Sequence, residues 1–180
     1  MRYQLVTPGV IVAAVFLLTG PLFAQSVSKA PITETNPCTD ADFWIGEWEV
    51  REPDDIKIAN VSVKAHAGHC VISEEWTWTV PTERSRGNSG NGLCVLAYGD
   101  EKHDWQYDCG TDFGKRYNFV DGKLVGHELR FADRSAPKGV IANFSYTELP
   151  DGRIRENEVE SEDGGKTWKT TVDVFWNKRK

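Results

Sequence analysis

Five carboxylates carry the first chemical possibility in this chain. Glu74 and Glu75 lie in Cys70-Val-Ile-Ser-Glu-Glu-Trp76, and Glu156, Glu158 and Glu160 stand two apart near the end. Two carboxyl groups facing each other across a cleft can serve as general acid and general base. Glu74 stands out, because it shares its alternation with Ile72, Trp76 and Trp78. Glu74 with Glu156 is therefore the candidate acid–base pair. A carboxylate among apolar groups must be paired or protonated. Arg116, Arg155 or the polar end of a ligand could meet Glu74 there. For the remaining glutamates the plainer account is that they solvate the outer face of their strands.

Other residue types offer less. His66-Ala-Gly-His69 has the look of a metal pair, but on a strand residues three apart point to opposite faces, and Gly68 signals a turn. Solvated turn histidines are expected, and no metal site. Ser89 sits between glycines without a base marked for it, and no G-x-S-x-G is present. No P-loop or dinucleotide fingerprint occurs, so no cofactor is expected. The formal charge of −6, with scattered Lys and Arg, argues against nucleic acid and anionic lipid as partners.

Four cysteines, Cys38, Cys70, Cys94 and Cys109, make an even set without C-x-x-C. An even set in an exported chain favours disulfides. Apolar runs over 93–98 and 105–109 flank the turn-like Gly99-Asp-Glu-Lys-His-Asp104. A hairpin centred there sets Cys94 opposite Cys109, and a directly opposed pair can be bridged. Cys38 then joins Cys70, stapling the start of the domain to the third strand.

The elements that must position these groups read as short strands. They are expected over 47–52, 56–65, 69–80, 93–98, 104–110, 114–120, 123–131, 139–149, 153–160 and 168–178. The stretch 69–80 alternates cleanly. On 153–160 both faces mix polar residues, so its inward face stays open. Residues 82–92 form a polar loop, and 132–138 a second one. Asp121-Gly122 is a two-residue hairpin signal, and Pro150-Asp-Gly152 a tight turn. A short helical turn is expected over 39–43, capped by Thr39 or Asp40. With Trp 7, Tyr 5 and Phe 8, the chain is rich in rings that suit a pleated, half-buried surface. Many short strands and tight turns allow a sandwich or a barrel, and sequential hairpins favour the barrel. The fold class is all-β: about ten antiparallel strands in an up-and-down barrel, large enough to hold one small ligand.

Ahead of the barrel, residues 1–24 read as a signal peptide. Arg2 gives the basic start, residues 10–18 are apolar, and Ala24 is the expected last residue before cleavage. The apolar run is short for a membrane span. Residues 25–37 read as a flexible linker, and 38–180 as the barrel domain. The expected destination is the periplasm or the outside of the cell, with no membrane association in the mature form; oligomeric state stays open.

Two resemblances emerge. Gly46-Glu47-Trp48 resembles the G-x-W start of lipocalin-type calycin barrels. That resemblance implies that Trp48, with Trp44 and Gly46 beside it, plugs the barrel base under a basic residue of the last strand, here Arg179 or Lys178. Asp42-Phe-Trp-Ile-Gly-Glu-Trp48, Cys70-Val-Ile-Ser-Glu-Glu-Trp76 and Asp163-Gly-Gly-Lys-Thr-Trp168, in this order, resemble a family of exported bacterial proteins of unknown function. Cys94 and Cys109 look like additions to its pattern. A further motif, Ser161, Asp163, Gly165, Thr167 and Trp168 in S-x-D-x-G-x-T-W spacing, is similar to the Asp-box hairpin repeated in sialidase propellers. A propeller needs several copies. A single box reads as a hairpin staple: Ser and Asp bond the turn backbone, Gly takes positive φ, and the Trp packs beneath.

The leading expectation is thus an exported barrel that binds a small apolar ligand. Trp76, Trp78, Tyr98, Trp105, Tyr107 and Phe144 would line the cavity, and Glu74 would orient a polar ligand end. The alternatives are a barrel enzyme, an isomerase or hydrolase using Glu74 and Glu156, and a filled barrel that serves as an interaction domain.

Overall fold

In the computed structural model the described residues are 36–79 and 90–180. The expected leader, nearly all of the expected linker and most of the polar loop expected over 82–92 lie outside them. Ten antiparallel strands follow one another: β1 (Gly46–Arg51), β2 (Lys57–His66), β3 (Val71–Trp78), β4 (Asn91–Gly99), β5 (Asp104–Thr111), β6 (Arg116–Val125), β7 (Glu128–Asp133), β8 (Ile141–Glu148), β9 (Ile154–Ser161) and β10 (Lys169–Lys178). Each pairs with its sequence neighbour, and β1 also pairs with β10 from Trp48↔Lys178 to Arg51↔Phe175. The sheet is a closed up-and-down barrel, so it has no free edge.

Alternation sets the inside. On β3, Ile72, Glu74, Trp76 and Trp78 are buried while Glu75 and Thr77 are exposed. On β2 the inward set is Ala59, Val61 and Val63, and on β8 it is Ala142, Phe144 and Tyr146. The β4–β5 register is Cys94↔Cys109 and Tyr98↔Trp105, as the hairpin centred on 99–104 requires. Both disulfides are present, Cys38–Cys70 and Cys94–Cys109, with Cα–Cα distances of 4.4 and 4.0 Å.

One turn expectation fails. Asp121-Gly122 is not a hairpin turn; it lies inside β6, where the register steps from Val120↔Ala132 to Lys123↔Arg130. Two residues there oppose Phe131 alone, which is a β-bulge. Asp121 takes φ 57°, and a Cβ on Gly122 would fall 2.4 Å from the Phe131 ring and 2.7 Å from the Trp105 carbonyl oxygen. The dipeptide thus answers to the bulge. The turn itself is Gly126-His127, with Gly126 at φ 67° between the paired Val125 and Glu128.

An up-and-down barrel has two kinds of rim. At one end, the base, β1, β3, β5, β7 and β9 begin. At the other, the mouth, lie the end of β3, the start of β4 and the connections 52–56, 112–115, 134–140 and 162–168. The helical turn expected over 39–43 is two 3-10 turns at the base, Pro37–Thr39 and Asp42–Trp44. Its cap is neither Thr39 nor Asp40: Asn36 accepts from the Cys38 N–H at 3.1 Å, and the second turn has no side-chain cap.

At the mouth, the β9–β10 hairpin is held by the Asp-box. Asp163 accepts from the Lys166 and Thr167 N–H groups at 3.0 and 2.9 Å, from the Ser161 hydroxyl at 2.8 Å and from the Thr167 hydroxyl at 2.7 Å. Ser161 Oγ accepts from the Gly165 N–H at 2.8 Å. Trp168 lies against the turn, donating its indole N–H to the Gly165 carbonyl at 3.2 Å, and is 45% exposed.

These donors hold the Asp163 carboxyl at about 2, below the ordinary aspartate value of 3.8. A lowered folded-state pKa stabilises the fold above the unfolded value, and that contribution disappears as pH falls through the folded one. The urea midpoint of the wild type is expected to fall between about pH 4 and pH 2, and that of Asp163→Asn to be lower at pH 7 and flatter across this window. Separately, replacing Cys38 and Cys70 by Ser, which opens a link across a sequence separation of 32, is expected to cost about 3 to 4 kcal/mol in urea unfolding at pH 7.

Candidate functional site

The base is closed by indoles. Trp44 enters from the second 3-10 turn, is fully buried, and meets Tyr146 at 3.9 Å, with Tyr107 and Trp176 each at 5.7 Å. Trp48 is buried beside it and donates its indole N–H to the Trp44 carbonyl at 2.9 Å. The cation over the Trp48 ring is Lys178, at 5.5 Å. Arg179 instead pairs its backbone N–H with the Glu47 carbonyl at 2.8 Å and its guanidinium with the Glu47 carboxylate at 3.9 Å. Gly46, at φ 149°, gives Lys178 its path: a Cβ there would lie 3.3 Å from Lys178 Cε. This accounts physically for the glycine two residues before the tryptophan.

Above this floor lies a polar cluster inside an aromatic shell. Glu74 and Glu156 are 1% and 0% exposed. Both therefore sit inside the barrel, and β9 turns its even-numbered residues inward. Glu74 meets neither Arg116 nor Arg155. Arg116 is exposed, and Arg155 forks onto Asp173 at 2.7 and 3.0 Å. Glu74 accepts instead from the Trp76 indole and the Tyr107 hydroxyl. With its proton so committed, Tyr107 accepts from the Tyr146 hydroxyl at 3.2 Å. Glu156 accepts from the Trp176 indole at 2.9 Å. Indole and phenol donors thus meet part of the hydrogen-bonding need of two buried carboxylates.

A slot runs from this cluster toward the mouth. Trp76 and Trp78, stacked at 5.2 Å, form one wall, and Tyr107, Phe119 and Phe144 form a stacked wall with Phe119–Phe144 at 4.4 Å. Glu156 and Tyr146 stand at its foot, and Gly92, Gly110, Thr111 and Tyr117 at its opening. Its empty volume, open mouth included, is about 380 Å³. Gly92 is where it is because Trp78 lies across it: a Cβ at 92 would fall 2.8 Å from the ring. The Trp78 indole N–H is buried with no acceptor among the described residues.

Of the expected lining residues, Trp76, Trp78, Tyr107 and Phe144 reach the slot. Tyr98 and Trp105 do not. They face each other at 5.4 Å, where β4 ends and β5 begins at the base. Glu74 lies behind Trp76 and Tyr107, tied to both. Sequence reasoning left out Tyr146, Phe119, Tyr117 and Gly92; the alternation that marks Phe144 also marks Tyr146. The two histidines of 66–69 go to separate partners, His66 to Ser73 at 2.8 Å and His69 to Asp42 at 2.6 Å.

Burial, and then the negative charges of Glu74 and Glu156, hold the Tyr107 and Tyr146 hydroxyls protonated well beyond the ordinary tyrosine value. The unfolded chain ionises these groups near pH 10, so stability falls as pH rises above that point. In an alkaline titration followed by tyrosinate absorbance, two tyrosines are expected to ionise only as the fold is lost. In Tyr107→Phe plus Tyr146→Phe that late step is expected to disappear.

The chain matches no protein-family model and no curated protein.

Proposed function

We propose that this protein is an exported, calycin-like binding barrel that takes one small, flat, mostly apolar molecule into the slot, its polar end toward Glu156 and Tyr146. The observation that carries this reading is the slot itself: two stacked aromatic walls converging on a carboxylate, open at one end. Concave, largely apolar sites with a few convergent polar groups are the usual form of small-molecule sites. The base half of the interior is filled by Trp44, Trp48, Trp105 and Trp176, so the container occupies the mouth half alone. Narrowness selects a planar ligand that slides between rings. Trp78 supplies an indole donor for an acceptor atom near the opening. Export accords with the apolar leader and with two disulfides, which persist in oxidising compartments.

Native mass spectrometry of the protein purified from the cells that make it tests this. The expected result is a species heavier than the polypeptide by the mass of one small molecule. Gly92→Val must displace the Trp78 ring and narrow the slot, and is expected to lose that species while keeping its β-sheet circular dichroism. Identical bare-polypeptide spectra for both proteins would remove the reading.

A further inference from the structure

The two disulfides differ in what the chain would lose without them. Cys38–Cys70 ties a 3-10 turn at the base, outside the sheet, to the residue just before β3. Cys94–Cys109 joins β4 to β5 where their ladder runs unshifted from Gly92↔Thr111 to Gly99↔Asp104. β4 is also paired with β3, and β5 with β6. Backbone hydrogen bonds therefore hold the two cysteine Cα atoms, 4.0 Å apart, whether or not their sulfurs are joined. The place of this cross-link points to a different use. Alternation turns Cys94 inward with Leu96, and Cys109 inward with Tyr107. Both cysteines line the slot, two ladder steps below its opening at Gly92 and Thr111. Cys94 is buried, whereas Cys109 is half-buried and also borders an outer groove with Asp108, Asn118 and Ser135. A reducible bond thus stands in the wall of the slot, with one of its residues beside open space.

We propose that Cys94–Cys109 is a redox site for a dithiol, and that its reduction closes the slot to the molecule it holds. The closing half rests on the binding reading proposed for the same slot. A thiolate of the dithiol attacks Cys109 Sγ; the Cys94–Cys109 bond breaks, and Cys94 leaves as a thiolate that takes up a proton. The second thiolate of the reagent attacks the mixed disulfide, releases Cys109 and closes the reagent's own disulfide. Two electrons pass from dithiol to protein, and both cysteines end as thiols. Sulfurs that share no bond must stand farther apart. The ladder fixes their Cα atoms, so they separate by rotation about Cα–Cβ into another staggered well. For two inward side chains the free space is the slot. A thiol turned into it narrows the gap between the aromatic walls. In an oxidising compartment the bonded, open form is the resting one, and a dithiol empties it.

The full-length protein, purified from the cells that make it, is treated with excess dithiothreitol. One aliquot is alkylated with iodoacetamide and mapped by peptide mass spectrometry. Another, not alkylated, goes to circular dichroism and native mass spectrometry. Cys94 and Cys109 are expected to be alkylated, the β-sheet signal to stay, and the co-purified small-molecule species to disappear from the native spectrum. Cys94→Ala plus Cys109→Ala, which puts no thiol in the slot, is expected to fold and to keep that species with and without dithiothreitol. Unreacted Cys94 and Cys109, a sheet lost on reduction, or a double variant that does not fold overturns the redox site. A species that persists on the reduced wild type, or that dithiothreitol also removes from the double variant, overturns the closing and leaves the binding reading standing. If the untreated wild type carries no such species, the binding reading and the closing fall together, and alkylation with a retained sheet still decides the redox site.

Discussion

Closure of the sheet along the β1–β10 seam is the constraint on which the rest of the barrel depends. Once ten strands meet end to end, every second residue is committed to an interior of fixed width, with no edge at which a misfit could be relieved. Rings fill such a space with few rotamers and large buried area. The base half is filled this way, from Trp44 and Trp48 through Trp176 to Tyr146. Seam and plug are coupled: Lys178, the partner of Trp48 across the seam, also supplies the cation over its ring.

An interior made of rings makes polar groups costly and therefore informative. Glu74 and Glu156 are enclosed at full depth, and each is met by an indole or phenol donor from the shell around it. The aromatic side chains thus do two jobs. Their faces pack, and their N–H and O–H edges bond two carboxylates in a low-dielectric space. Removing either job would disturb the other, since the Tyr107 ring that stacks on Phe119 also carries the hydroxyl bound to Glu74.

Much of this architecture is legible in the residues. Strand count, the Cys94–Cys109 register and the inward face of 70–78 come from a period of two and one symmetric hairpin, which are local properties. Depth is not local. Alternation says which face Tyr98 and Trp105 share with Tyr107, and nothing about their height along the axis; they fall at the base, below the slot. Glu156 is ambiguous in sequence for a related reason. Both faces of its strand mix polar residues, and only the cross-strand neighbours Tyr146 and Val174, with Trp176 beyond, show which side is enclosed. Asp121-Gly122 misleads because a bulge and a tight turn ask for the same backbone, and the Trp105 and Phe131 contacts that decide between them come from distant parts of the chain.

That bulge has a consequence for how the barrel tolerates change. Before it, Tyr117 and Phe119 face inward; after it, Gly122 is the enclosed position, and Leu124, exposed near the base rim, pairs on the same face with the buried Leu129. The extra residue therefore acts as a phase shift in the chain's inside–outside rhythm, and the sequence on either side is written in opposite phase. Gaining or losing one residue within β6 would put Lys123 where an apolar group belongs, whereas a described rim connection such as 134–140, which has no bulge to keep, imposes no such phase. Over evolutionary time, length variation should gather at the rims and avoid this strand, leaving its phase marker fixed while the mouth diversifies.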